Sequence, residues 1–257
     1  MTPQWDHFLV ALTLALVRIS GVVAFAPFFS STALPVRTKG VFVLALGYLL
    51  APIVASLPGA NARLSYESLI GEVAVGLVYG LALAFLNEML LFAGQIAGLQ
   101  FSFSLVNLMD PASSIQTPLL SELFQLSGTL VVITGGLDHL LLASLVRSFY
   151  AVPLGSYALA TATTTALVRG ATGIFLAALQ LAAPVLAATL LVEIAVALLA
   201  RLSPQLPTIS LTIPLKTMTG FALLSGSFAL WSHFIDMRFR TLLDWTEKLL
   251  AMPGAGG

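Results

Sequence analysis

The chain has 257 residues, 58% hydrophobic and 9% charged, with a mean hydropathy of +1.00. So little charge on so much apolar side chain excludes a soluble globular domain and makes it an integral membrane protein. Eleven basic residues balance eleven acidic ones and cysteine is absent, which excludes a basic nucleic-acid surface, an acidic tail, disulfides and thiolate chemistry.

MTPQWDHFLVAL, at the start, lacks the basic n-region of a cleaved signal peptide, so the first apolar run is read as retained. A bilayer span takes roughly 20 apolar residues. Runs approaching that length occur at Phe8–Phe29, Gly40–Leu57, Leu69–Phe92, Leu123–Val146, Ala166–Ala200 and Leu211–Ile235. The pattern predicts an all-α membrane protein of about six long, partly kinked helices. Breakers fall between them: STALPVRTKG, LPGANARLSYES, residues 94–120, VPLGSY and SPQLPTISLTIP. Residues 1–235 read as one helical domain. Residues 236–257 read as an amphipathic surface helix with a frayed glycine end, since Arg238, Arg240, Asp244, Glu247 and Lys248 interleave with Leu242, Leu243, Trp245, Leu249 and Leu250.

Charge placement does not orient these spans. Alternate loops put Arg37, Lys39, Arg201 and Lys216 on one side and Arg63, Arg147, Arg169, Arg238, Arg240 and Lys248 on the other, so neither wins. Arg18, Glu72, Glu88 and Glu193 interrupt the apolar runs. A charge facing lipid at a helix centre costs on the order of 3 kcal/mol. Arg18 and Glu193, the deeper two, are expected to be buried against a partner; Glu72 and Glu88, nearer helix ends, are expected to snorkel. Gly76–Gly80 and Gly94–Gly98 each set two glycines one turn apart, for close approach of a helix of this chain or of another subunit. Pro184 predicts a bend or a split in its helix.

Residues 94–120, GQIAGLQFSFSLVNLMDPASSIQTPLL, carry one charge, Asp110. Ser, Asn and Gln alternate there with Phe, Leu and Met. That mixture suits neither bulk water nor lipid, and irregular backbone at membrane depth is tolerated only inside protein or along a water-filled cavity. The segment reads as part of a pore or gate.

GQIAGLQ, FSLVNLMDPASS and QTPLLSELF, in that order, resemble the central signature of the FliR family of flagellar type III export-gate proteins. LVRISGVVAFAPFFSSTALPVRTK, GGLDHLLLASLVRSF and AAPVLAATLLVEIAVALLARLSPQLPTISLTIPLK extend the resemblance over most of residues 10–235. It implies helical hairpins assembled as a single copy with FliP-type and FliQ-type subunits. They would form a cone set largely above the lipid plane of the bacterial cytoplasmic membrane, within the flagellar basal body, through which unfolded flagellar proteins leave. Residues 94–120 would then be a plug or constriction, with Phe101, Phe103, Leu105, Leu108 and Met109 as its seal and Asn107, Asp110 and Pro111 shaping the loop. The hairpin at about 166–235 would resemble a FliQ-type subunit. Its turn is stiffened by Pro204, Pro207 and Pro214 and flanked by Arg201 and Lys216. Gly76, Gly80, Gly94, Gly98, Arg201, Pro204, Gln205, Pro214 and Lys216 are the candidates for partner packing. Pro207 and Ile209 depart from the family, whose members usually carry Asn and Phe after Pro-Gln.

Enzyme chemistry finds no support. No His precedes Glu as a metalloprotease helix needs; no G-x-S-x-G elbow and no G-x-x-x-x-G-K-[ST] phosphate loop is present. Asp138–His139 reads as a satisfied turn. No catalytic residue, metal site or cofactor is expected, and energy for transport comes from elsewhere. The equivalent subunit of a virulence injectisome shares the implied fold. A secondary transporter would need an internal inverted repeat, and a plain scaffold would not need the uncharged central segment.

Overall fold

In the computed structural model the described residues are 3–26, 35–60, 63–101, 119–157, 161–203, 205 and 207–251. They form α1 (Pro3–Phe25), α2 (Val36–Ala55), α3 (Tyr66–Gln100), α4 (Leu119–Thr134), α5 (Leu137–Ala151), α6 (Thr161–Leu202) and α7 (Thr208–Ala251), with no strand among them. Helices answer the composition, because each satisfies its backbone within itself where water is absent. By length and apolarity α1, α2, α3 and α6 can each cross a membrane, and up to six spans result if two bent pairs, α4 with α5 and the two parts of α7, count as one each.

Three boundaries differ from expectation. The single span expected at Leu123–Val146 is two helices, because Gly136 takes a left-handed φ of 65° after Gly135 and starts α5 anew. α3 continues through Gly94 and Gly98 to Gln100, taking the first part of the 94–120 segment into helix. Of the bend or split expected at Pro184, α6 shows no split. α7 begins at Thr208, so Pro214 lies within a helix instead of the preceding turn, and the same helix carries the tail to Ala251.

Two compact units result. The first comprises Met1–Leu86, Val132–Thr172 and Met237–Gly257. Its core takes Ala11, Leu14, Ala15, Ile19 and Val22 from one face of α1, with the 3–4 spacing of a helix stripe. Phe239, Leu243, Thr246 and Leu250 of α7 are buried in the same way. A Cβ on Gly170 would lie 3.1 Å from the Trp245 ring, and the Ser144 hydroxyl donates to Glu247 Oε1 at 2.7 Å. Leu243, Leu249 and Leu250 of this last stretch are therefore packed within protein.

The second unit comprises Asn87–Val131 and Gly173–Asp236. The end of α3 and the start of α4 run antiparallel in it: Ser121 Oγ donates to the Leu91 carbonyl at 3.0 Å and Gln125 Nε2 to Asn87 Oδ1 at 2.7 Å. α6 and α7 form the second hairpin of the unit, joined over residues 203–207.

Candidate functional site

The charges that hydropathy marked as costly are resolved in two places. In the first unit Arg18 and Glu72 are both fully buried, and they meet as a bidentate pair: Arg18 Nε donates to Glu72 Oε2 at 2.5 Å and Nη2 to Oε1 at 3.0 Å. The remaining guanidinium nitrogen, Nη1, donates to the carbonyls of Ser148 at 3.1 Å and Val152 at 3.0 Å, the free end of α5, where a cation complements the helix dipole. The Gly155 amide donates to Glu72 Oε1 at 2.9 Å, and the Arg18 guanidinium lies 4.3 Å from the Phe149 ring centre. Arg18 is paired as expected. Glu72 does not snorkel, because α3 begins at Tyr66 and its second turn faces α1 instead of solvent.

In the second unit Lys216 Nζ donates to Glu193 Oε1. Lys216 is buried while the Glu193 side chain keeps 46% of its exposure, so the lysine is the inner member of the pair. Glu88 is exposed. Asp138 and His139 meet at 3.1 Å on the surface of the α4–α5 turn, both open to solvent, a satisfied turn.

Of the seal residues only Phe101 lies among those described; Phe103, Leu105, Asn107, Leu108, Met109, Asp110 and Pro111 lie outside them. Phe101 is buried where α3 ends. Its ring packs on Phe221 at 5.4 Å between centres, and Gly220 is the reason it fits, since a Cβ there would stand 1.8 Å from the ring. Thr217 Oγ1 reaches the Phe101 carbonyl at 3.5 Å, and Thr189 Oγ1 donates to Gln100 Oε1 at 3.3 Å. Within the stem, a Cβ on Gly94 of α3 would fall 2.3 Å from Ser121 Cα of α4. Residues 101 and 119 are thus the two ends of a tightly crossed hairpin whose sides are fixed by glycine contacts and neutral hydrogen bonds.

The glycines divide by use. Gly76 and Gly80 serve a crossing within the chain: their added Cβ atoms would each lie 2.6 Å from a carbonyl oxygen of α1, that of Arg18 and that of Gly21. Gly94 serves the stem. Around Gly98 there is open space, which leaves it as the one of the four available to another chain. Arg201, Gln205 and Pro214 are exposed around the α6–α7 turn, and Pro204 lies outside the described residues. Sequence reasoning did not find Gly21, Gly220 or Ser148. Gly21 offered a signal, a lone glycine in an apolar run, whereas the other two become visible only through contacts more than a hundred residues away in sequence.

Known proteins match this chain in sequence along nearly all of its length. Residues 9–242 match the family model of bacterial export proteins, family 1. The chain is 27% identical over 252 residues to the flagellar biosynthetic protein FliR of Escherichia coli (strain K12), covering 96% of this chain and 95% of that one. It is 27% identical over 239 residues to the FliR of Caulobacter vibrioides, covering 90% and 93%, and 25% identical over 256 residues to that of Bacillus subtilis (strain 168), covering 95% and 96%. With the matched region running from within α1 to within α7, the chain belongs to family 1 of the bacterial export proteins, the family of these flagellar FliR proteins.

Proposed function

We propose that the chain is a component of the flagellar export apparatus, and more closely a single-copy subunit of its type III protein export gate in the bacterial cytoplasmic membrane. With FliP-type and FliQ-type subunits it forms the pore for unfolded flagellar proteins, and the segment from 94 to 120 is its plug or constriction. The observation that carries this reading is the α3–α4 stem: a hairpin of glycine contacts and neutral hydrogen bonds delivers a segment with one charge, and Phe101 is seated at its root. Phe103, Leu105, Leu108 and Met109 continue the apolar character from Phe101. Such side chains gathered in a constriction exclude ions by dewetting, and methionine adapts its shape to a passing polypeptide. Asn107, Asp110 and Pro111 shape the turn. The α6–α7 hairpin, about 166–235, acts in the manner of a FliQ-type subunit, and Gly98, Arg201, Pro204, Gln205, Pro214 and Lys216 meet neighbouring subunits.

Two measurements test it. Co-expressed with FliP-type and FliQ-type partners and purified in mild detergent, the chain is expected to appear by native mass spectrometry as one copy in a complex of fixed composition. A stable monomer or homodimer under those conditions would end the gate reading. Removing residues 104–112, which leaves the stem intact, is expected to make the closed assembly leak small ions in a conductance or sodium-flux assay. An unchanged leak would remove the segment from the barrier.

A further inference from the structure

Between Arg63 and Arg147 the sequence contains no Lys or Arg, yet it holds Glu67, Glu72, Glu88, Asp110, Glu122 and Asp138. Arg18 neutralises Glu72, and His139 meets Asp138. Glu88 and Glu122, on the two sides of the α3–α4 hairpin, are exposed and have no ion-pair partner among the described residues. Glu122 stands at one end of an open groove of about 430 Å³ along α4, lined with it by Leu119, Leu123, Leu126, Ser127 and Leu130. The four leucines are 76%, 43%, 66% and 52% exposed. Their separations of four, three and four residues make a seam of period 3.5, the repeat with which one helix packs along another in a left-handed supercoil.

Three kinds of occupant fit leucines, and the charge separates them. Lipid acyl chains need no such period and offer a carboxylate nothing. A second copy would bring another stretch of this hairpin, residues 87–131, which has three acidic residues and no basic one, so carboxylates would face carboxylates. A helix from a different chain with apolar residues in the same repeat and a Lys or Arg passing Glu122 satisfies both features at once. We infer that the leucine seam of α4 is a docking surface for such a membrane helix, supplied by another subunit of the export apparatus and held in register by a cation on Glu122. This rests on the reading of the chain as one member of a multi-subunit gate.

Because the chain has no cysteine, single cysteines at Leu123 or Leu126 can carry a benzophenone photocrosslinker in the intact assembly in native membranes, with Leu176 of α6, 60% exposed, as an off-seam site. The expected result is an adduct from both seam positions to one other subunit, the crosslinked peptide being an apolar helix that bears Lys or Arg. Glu122→Lys should cut the adduct yield about tenfold, Glu122→Gln less, and reversing the mapped cation to Glu should restore it. Adducts with lipid, with a second copy or within the chain itself overturn the inference, as does a yield indifferent to Glu122→Lys. If native mass spectrometry finds partner subunits on the unmodified chain while the seam reaches only lipid, this inference fails and the gate reading stands. If no partner is found at all, the gate reading fails first.

Discussion

Arg18→Met is expected to destabilise the first unit by about 3–5 kcal/mol, the cost of leaving a buried charge without its partner. Glu72 would keep the Gly155 amide at 2.9 Å but lose both guanidinium hydrogen bonds. The Ser148 and Val152 carbonyls would lose the cation at the end of α5. Met fills much of the volume of the arginine stem, so cavity formation adds little. The second half of the test is the double variant Arg18→Met with Glu72→Met, which removes charge and countercharge together. Replacing a whole buried ion pair with apolar side chains is often neutral or stabilising, so the double variant should recover a large part of the loss. Thermal unfolding in a fixed detergent reads both. If the single variant is as stable as the parent, the pair does not anchor α1, α3 and α5. If the double variant is no better than the single one, the α5 carbonyl contacts of Arg18 outweigh its pairing with Glu72.

The same pair shows how much of this fold can be read along the chain. Apolar run length located six stretches that are helical over most of their described residues, because in a membrane length and apolarity decide between helix and loop. That Arg18 must be paired followed from the cost of a lone charge, but its partner is 54 residues away and no local pattern names it. Glu72 was misplaced for a related reason: distance from a helix end is a poor guide to exposure when the second turn of α3 already faces another helix. Gly135–Gly136 was in plain view as a breaker, yet hydropathy averaged across a long window does not register two residues, and one expected span proved to be α4 and α5. The helical course of Gly94–Gln100 was hidden in the opposite sense. Each helical glycine costs about 1 kcal/mol relative to alanine, and the sequence does not show the offsetting contact, the close crossing of Gly94 on Ser121. The candidate gate was legible chiefly as composition, a nearly uncharged Phe-, Leu- and Ser-bearing segment between apolar runs. The Gly220 recess that seats Phe101 lies 119 residues downstream and belongs to tertiary packing alone.

Gly76→Ala is the second large effect expected, and a single methyl suffices to cause it. The new Cβ would lie 2.6 Å from the Arg18 carbonyl oxygen and 3.3 Å from its Cα. These are backbone atoms, with no rotamer by which to retreat. Gly21 faces the same crossing from α1, its own added Cβ falling 2.9 Å from the Gly76 carbonyl carbon, and Gly80 meets the Gly21 carbonyl at 2.6 Å. Contact of this kind drives helix association where lipid supplies no hydrophobic effect. To admit the methyl, α1 must shift away from α3, and Arg18 is the residue that must move. Overpacking of a tight core costs about 1–3 kcal/mol, and here the displacement also stretches the Arg18–Glu72 pair, so the loss should reach the upper end of that range. Gly98→Ala, on the same helix but with open space around it, supplies the contrast: it should raise the stability of the isolated chain by up to about 1 kcal/mol while weakening recovery of the multi-subunit complex. A cycle of Gly76→Ala with Arg18→Met in the same detergent then separates the two costs. If the methyl acts through Arg18, the combined loss is smaller than the sum of the single losses. Additive losses would mean that the α1–α3 crossing and the buried ion pair hold the first unit independently.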